Sequence, residues 1–162
     1  MIKDKNNIPR LIKNLGKGGT VKIGYMGEGE TAMIAAVHEF GVVINVTDKM
    51  RNFLHTKGIH LKPSTTQITI PERSFLRAGW DENEDQVLKR LDTFLDEALT
   101  KNVRIDKVLE AMGIEAKGKI QKYAKSLSSP ANSPATVASK GSSNPLVDTG
   151  NLIQSIDYTV DK

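Results

Sequence analysis

A histidine beside a glutamate is the pairing in this sequence best suited to moving a proton, and it stands at His38 and Glu39 in the run HEFG. An imidazole and a carboxylate that converge on one atom make an acid/base pair. Adjacent residues of a helix point about 100° apart, so these two do not converge. A histidine near a helix C-terminus is favoured by the helix dipole, and that structural reading of His38 is the preferred one. His55 and His60 flank Lys57 and Gly58, with no acidic residue in the stretch to complete a metal set. The run DENED at 81–85 gathers carboxylates but lacks the ligand spacing and the glycine of a calcium loop. It reads as a helix N-terminus, where the macrodipole selects acids. GKGG at 16–19 precedes a strand instead of following one and lacks the Gly-Lys-Ser/Thr ending of a phosphate loop. No serine carries the flanking glycines of a nucleophile elbow. Cysteine is absent, which excludes thiolate zinc sites, disulfides and cysteine nucleophiles. The sequence therefore predicts no catalytic residue, no metal, no cofactor and no small-molecule substrate.

The elements that position these residues belong to a small chain. At 162 residues it fits one domain, since single cores commonly organise about 100–200 residues. We divide it into an N-terminal segment, 1–19, and a single α+β domain, 20–162. An apolar share of 38%, with one Trp, three Tyr and four Phe, predicts a thin core of Leu, Ile and Val. No run approaches the roughly 18–20 apolar residues of a membrane span, and MIKDKNNIPRLIKNL lacks the apolar stretch of a secretory signal. No membrane partner is expected, and synthesis and use in the cytoplasm are. The net charge of +4 arises from 23 basic and 19 acidic residues whose signs alternate through most of the chain. Lys13, Lys17 and Lys22, and further on Lys49, Arg51, Lys57 and Lys62, are local basic excesses that a nucleic acid could use. Lysines that keep a protein soluble are the simpler reading, so nucleic-acid binding is expected to be non-specific at most.

Residues 20–26 alternate Val21, Ile23 and Tyr25 against Lys22, Gly24 and Met26, the period of a half-buried strand. Thr31 is the expected N-cap of a short helix through Ala32 and Val37, which Gly41 ends. The β-branched runs 42–46 and 66–70 predict two more strands. Between them, 48–65 shows no clean period and reads as a hairpin extension or ordered arm, whose Phe53, Leu54 and Leu61 need a cover. The firmest pattern is a pair of amphipathic helices over about 82–101 and 104–127. Gly113 and Gly118 weaken the second by about 1 kcal/mol each relative to alanine, which predicts a kink or close packing there. Ser, Pro, Ala and Gly dominate 128–145, the composition of a flexible surface loop, and a loop this long has a job such as lying across a partner. Asp148 or Thr149 is then expected to cap a short helix burying Leu152, Ile153 and Ile156, and 156–160 alternates as a final strand.

Three segments, AAVHEFG at 35–41, IPERSFLR at 70–77 and NPLVDTGNLIQSIDYTV at 144–160, follow one another around a helical middle. Together they resemble the phage virion morphogenesis and tail-completion proteins, minor structural proteins that help join head and tail. The likeness covers about 20–160. Ser74 stands where many members carry proline, and the insertion 48–62 is not shared by all. The strands near Thr20, Val42, Thr66 and Ile156 predict a small, mostly antiparallel β-sheet packed against the two long helices, and the resemblance implies a non-enzymatic subunit of the neck or tail end. It would work as a homo-oligomer, a ring being the usual closed form, with other neck and tail proteins as partners, in the host cytoplasm during assembly and in the virion. Subunit contacts are expected from Phe53, Leu54 and Leu61 of the arm and from Arg73, Phe75, Leu76 and Arg77 of the IPERSFLR turn. In that turn Phe75 can instead tuck into the core, which we favour, and the arginines suit carboxylates of a neighbouring subunit. The alternative function is a nucleic-acid-binding accessory protein that uses the basic N-terminal and arm residues.

Overall fold

A computed structural model describes residues 18–26, 28–101 and 103–161. Lys13, Lys17, the first half of GKGG and nearly all of the segment 1–19 lie outside the described residues. The element order is β1 Thr20–Gly24, α1 Glu30–Phe40, β2 Val42–Asn45, α2 Asp48–Thr56 and β3 Gln67–Ile70. It continues with α3 Arg77–Lys101, α4 Ile105–Ser126, α5 Pro134–Lys140, α6 Asn151–Gln154 and β4 Asp157–Asp161. The chain is α+β, with antiparallel strands and two long helices. Its strands form two separate ribbons instead of one sheet, β1 with β4 and β2 with β3. Gly41, with a φ of 68°, turns the chain off the end of α1 into β2; a Cβ there would sit 2.8 Å from the Glu72 nitrogen. The β2–β3 ribbon closes on itself beyond that corner, while β1–β4 lies on α4.

The long helices pack as their periodicity requires. Val87 and Ala98 of α3, and Val108, Met112, Ala116, Ile120 and Ala124 of α4, are buried. One cluster joins Ile120 and Ala124 to Ala35, Phe75, Ile153 and Ile156; a second joins Val87, Met112 and Ala116. Gly113 is where β4 touches α4: a Cβ would fall inside the Tyr158 ring, within 2.6 Å of Cγ. The close packing expected at this glycine is present, whereas Gly118 faces open space.

Five local expectations are corrected or refined. α3 begins at Arg77, so the acids at 81–85 follow its first turn, which holds no acid. Gly29, not Thr31, is the N-cap of α1, and Gly150, not Asp148 or Thr149, is that of α6. The aperiodic stretch 48–65 contains α2, whose start is fixed by the Thr47 hydroxyl accepting from the Met50 nitrogen at 3.2 Å. The segment 128–145, expected as a flexible loop, holds α5, with Ser133 capping it, Pro134 in the first turn and Gly141 left-handed at its end.

Candidate functional site

Two of the three sequence motifs meet at the end of α1. Glu39 is only 3% exposed and reaches the start of α3. Its Oε2 accepts from the Leu76 nitrogen at 2.8 Å, and its Oε1 from the Arg77 nitrogen and the Ser74 hydroxyl at 3.0 Å each. Arg77 Nε adds a 3.0 Å charge-assisted bond to Oε1, and its Nη2 donates to the Glu39 carbonyl and to Glu72. The carboxylate thus satisfies the orphan amides of a helix that has no acid of its own in its first turn, and it sits where the helix dipole is positive.

His38, one residue back, faces the other way. Its carbonyl accepts from the Arg73 nitrogen at 2.6 Å, and its Nδ1 lies 3.3 Å from Arg73 Nη1. Arg73 is 4% exposed, a burial tolerated because its fork is filled. Nε donates to the Pro130 carbonyl at 2.7 Å, and Nη2 donates to the Ala131 carbonyl and Asn132 Oδ1. Arg73 therefore pins the segment 128–145 onto α1. Lys140 holds the far end of that segment through the carbonyls of Asn144 and Pro145, and Asn144 donates to the Lys125 carbonyl of α4 at 2.8 Å.

Burial, followed by the positive charges of Arg73 and Lys140, lowers the pKa of His38 from 6.5 to about 4. The ring is neutral at pH 7 and serves Arg73 as an acceptor. A polar cleft of about 410 Å³ opens above it, lined in part by Glu30, Thr31, Lys140, Asp148 and Asn151. The cation in its lining, Lys140, is committed to the carbonyls of Asn144 and Pro145, and the Glu39 carboxylate points away from the cleft, towards α3. As the sequence implies, His38 and Glu39 do not converge.

The proposed contact residues separate into two sets. Phe75 is fully buried, edge-on to Tyr25 at 6.4 Å, and Arg73 is buried on its carbonyls. Neither is available to a neighbour, which corrects the contact expectation for both and agrees with the core placement favoured for Phe75, and Leu76 is half-buried against the same core. Arg77 is exposed but bonded to Glu39 and Glu72, with its guanidinium over the Phe40 ring at 4.8 Å. Phe53, in contrast, is 59% exposed, while Leu54 and Leu61 are half-buried within the arm.

The arm is held by its own bonds. Arg51 donates to the carbonyls of Leu61, Lys62 and Thr65, tying the return segment to α2. His55 and His60 face each other with their Nδ1 atoms 2.8 Å apart, an arrangement in which one ring donates and the other accepts. Among the described residues, no group of three or more His, Cys, Asp or Glu is placed to hold a metal ion. None of residues 40–72 is buried, although Phe40, Val43 and Phe53 are large apolar groups within that range. Among the described residues, no helix is long and apolar enough to cross a membrane.

No family model, curated protein or solved structure matches the chain.

Proposed function

We propose that this chain is a structural subunit of a tailed-phage particle that works in head–tail joining or tail completion by assembling with copies of itself and with neck or tail proteins. The reading begins from the likeness of HEFG, IPERSFLR and LVDTGNLIQSI to the morphogenesis and tail-completion proteins. The observation that carries it is the arm together with the β2–β3 ribbon beside it: thirty-odd residues between Phe40 and Glu72 order themselves without fully burying one side chain, while Phe40, Val43 and Phe53 stay more than half exposed. A lone subunit gains nothing from an apolar group left in water, whereas burial releases about 25 cal/mol per Å² of apolar surface. A ring or stack of subunits supplies that cover, and closed symmetry limits its growth.

Light scattering on the purified protein, alone and with head or tail components, tests the reading. A defined oligomer, or a stable complex with tail components, is expected. A monomer that binds neither would overturn it. The genes on either side give an independent check, a position between head and tail genes being expected.

A further inference from the structure

We infer that α2 of one subunit docks on the outer face of α3 of a second copy, through opposite charges set around a leucine and a phenylalanine. The inference rests on the self-assembly proposed above and names the surfaces that perform it. On α2, Lys49 and Phe53 lie four residues apart and share an exposed face; Lys57 follows at the C-cap, its ammonium 5.7 Å from the Phe53 ring centroid. On α3, Asp85, Leu88 and Asp92 recur at three and four residues and are all exposed, Leu88 by 44%. Both faces read charge, apolar, charge, with the sign reversed.

The dimensions agree. At about 1.5 Å per residue, Lys49 to Lys57 spans about 12 Å and Asp85 to Asp92 about 10.5 Å. Phe53 of one copy can lie beside Leu88 of the next while the lysines reach the aspartates on the rim. Among the described residues, neither of the two acids on α3 that this requires, Asp85 and Asp92, has an ion-pair partner in its own chain, and nor does Asp81 one turn earlier. The charge difference extends beyond the stripe. Residues 42–70 carry four basic side chains against one acidic, and α3 carries seven acidic against four basic. Complementary fields of this kind fix orientation and speed the encounter. Because the two patches are different surfaces of one chain, the contact is head-to-tail, the kind that closes into a ring when the rotation allows.

A charge-exchange series tests this by light scattering across protein concentration at low and high salt. Lys49→Glu with Lys57→Glu, and separately Asp85→Lys with Asp92→Lys, are each expected to raise the concentration needed for assembly by about tenfold or more, as like charges then meet. The chain carrying all four substitutions is expected to assemble again, and so is an equal mixture of the two reversed proteins. Phe53→Ser, which leaves the charges untouched, is expected to weaken assembly in every background. All these positions are exposed, so circular dichroism should match the unsubstituted chain. If the original protein assembles but the four-fold variant stays apart, or if either reversed variant assembles unchanged, the docking surfaces are wrong although self-assembly stands. Retention on duplex DNA that only the arm reversal abolishes, with assembly intact, would assign the lysines to phosphates and overturn the inference. An original protein that is monomeric at every concentration would overturn the inference together with the self-assembly on which it rests.

Discussion

Replacing Glu39 by glutamine keeps the shape of the side chain and changes what it can accept. The carboxylate receives one bond on Oε2, from the Leu76 nitrogen, and three on Oε1, from Ser74 and from Arg77. The best amide placement puts its oxygen at the Oε1 position and its NH2 against the Leu76 N–H, donor facing donor. A buried donor left without an acceptor costs about 1–3 kcal/mol. Removing a negative charge from the first turn of α3 adds about 0.3–1 kcal/mol, and more where the site is dry. The exposed Arg77 guanidinium is left out of the sum, because water replaces its partner readily. The expected loss is about 3 kcal/mol, which for a chain of this size lowers Tm by about 6–12 °C. Urea and thermal unfolding followed by circular dichroism measure it. Glu72→Gln, which touches the same arginine in solvent, is the control and should leave Tm unchanged. If Glu39→Gln unfolds within about 0.5 kcal/mol of the original protein, the start of α3 is not held by this carboxylate and the account of the junction fails.

Three further outcomes are expected. Arg73→Lys cannot reproduce the planar fork on Pro130, Ala131 and Asn132, so limited proteolysis should cut within 128–145 faster than in the original protein while α4 stays protected. Gly113→Ala gains about 1 kcal/mol of helix propensity but drives a methyl into Tyr158; overpacking of about 1–3 kcal/mol should win, lowering Tm. His38 has a folded pKa of about 4 against 6.5, so its unfolded form takes up a proton first as pH falls. Its contribution is complete above pH 6.5, is lost between 6.5 and about 4, and is constant below; discounted for a half-buried ring it amounts to about 2 kcal/mol. Stability measured against pH should therefore fall less steeply across that window in His38→Gln.

How much of this was legible depended on whether the determining contacts were local. Val87, Leu91, Phe94 and Ala98 on α3 and Val108, Met112, Ala116 and Ile120 on α4 declare their helices, because one buried face imposes one period. The true start of α3 was hidden because its cap comes from Glu39, thirty-seven residues before Leu76. Nothing near Arg77 announces it, and the acids at 81–85 point to a start five residues late. α2 escaped for the opposite reason. Met50, Phe53 and Leu54 do fall at i, i+3 and i+4, but a helix of nine residues shows that spacing only once, and the Thr47 cap before Asp48 adds too little to declare it. α5 was written in local residues, Ser133, Pro134 and Gly141, within a composition that reads as loop. The burial of Arg73 was not legible at all, since a charged side chain is placed outside by default and the carbonyls that satisfy it lie more than fifty residues away.

The residues on which the proposed likeness to the tail-completion proteins rests are largely the ones that hold the fold together. In HEFG, Glu39 caps α3 and His38 accepts from Arg73; in IPERSFLR, Arg73 pins the late segment and Phe75 fills the core. In LVDTGNLIQSI, Leu146, Ile153 and Ile156 are buried around that same phenylalanine. Such residues constrain shape, and two chains can share them while meeting different neighbours. The groups left for a neighbour lie elsewhere: Phe53 and its lysines on α2, and Leu88 with its aspartates on α3. Substitutions in the junction should therefore change unfolding before they change assembly, and substitutions on those two helix faces should do the reverse. A junction variant that keeps its Tm but loses assembly would break this division, and with it the assignment of Arg73 and Phe75 to the interior.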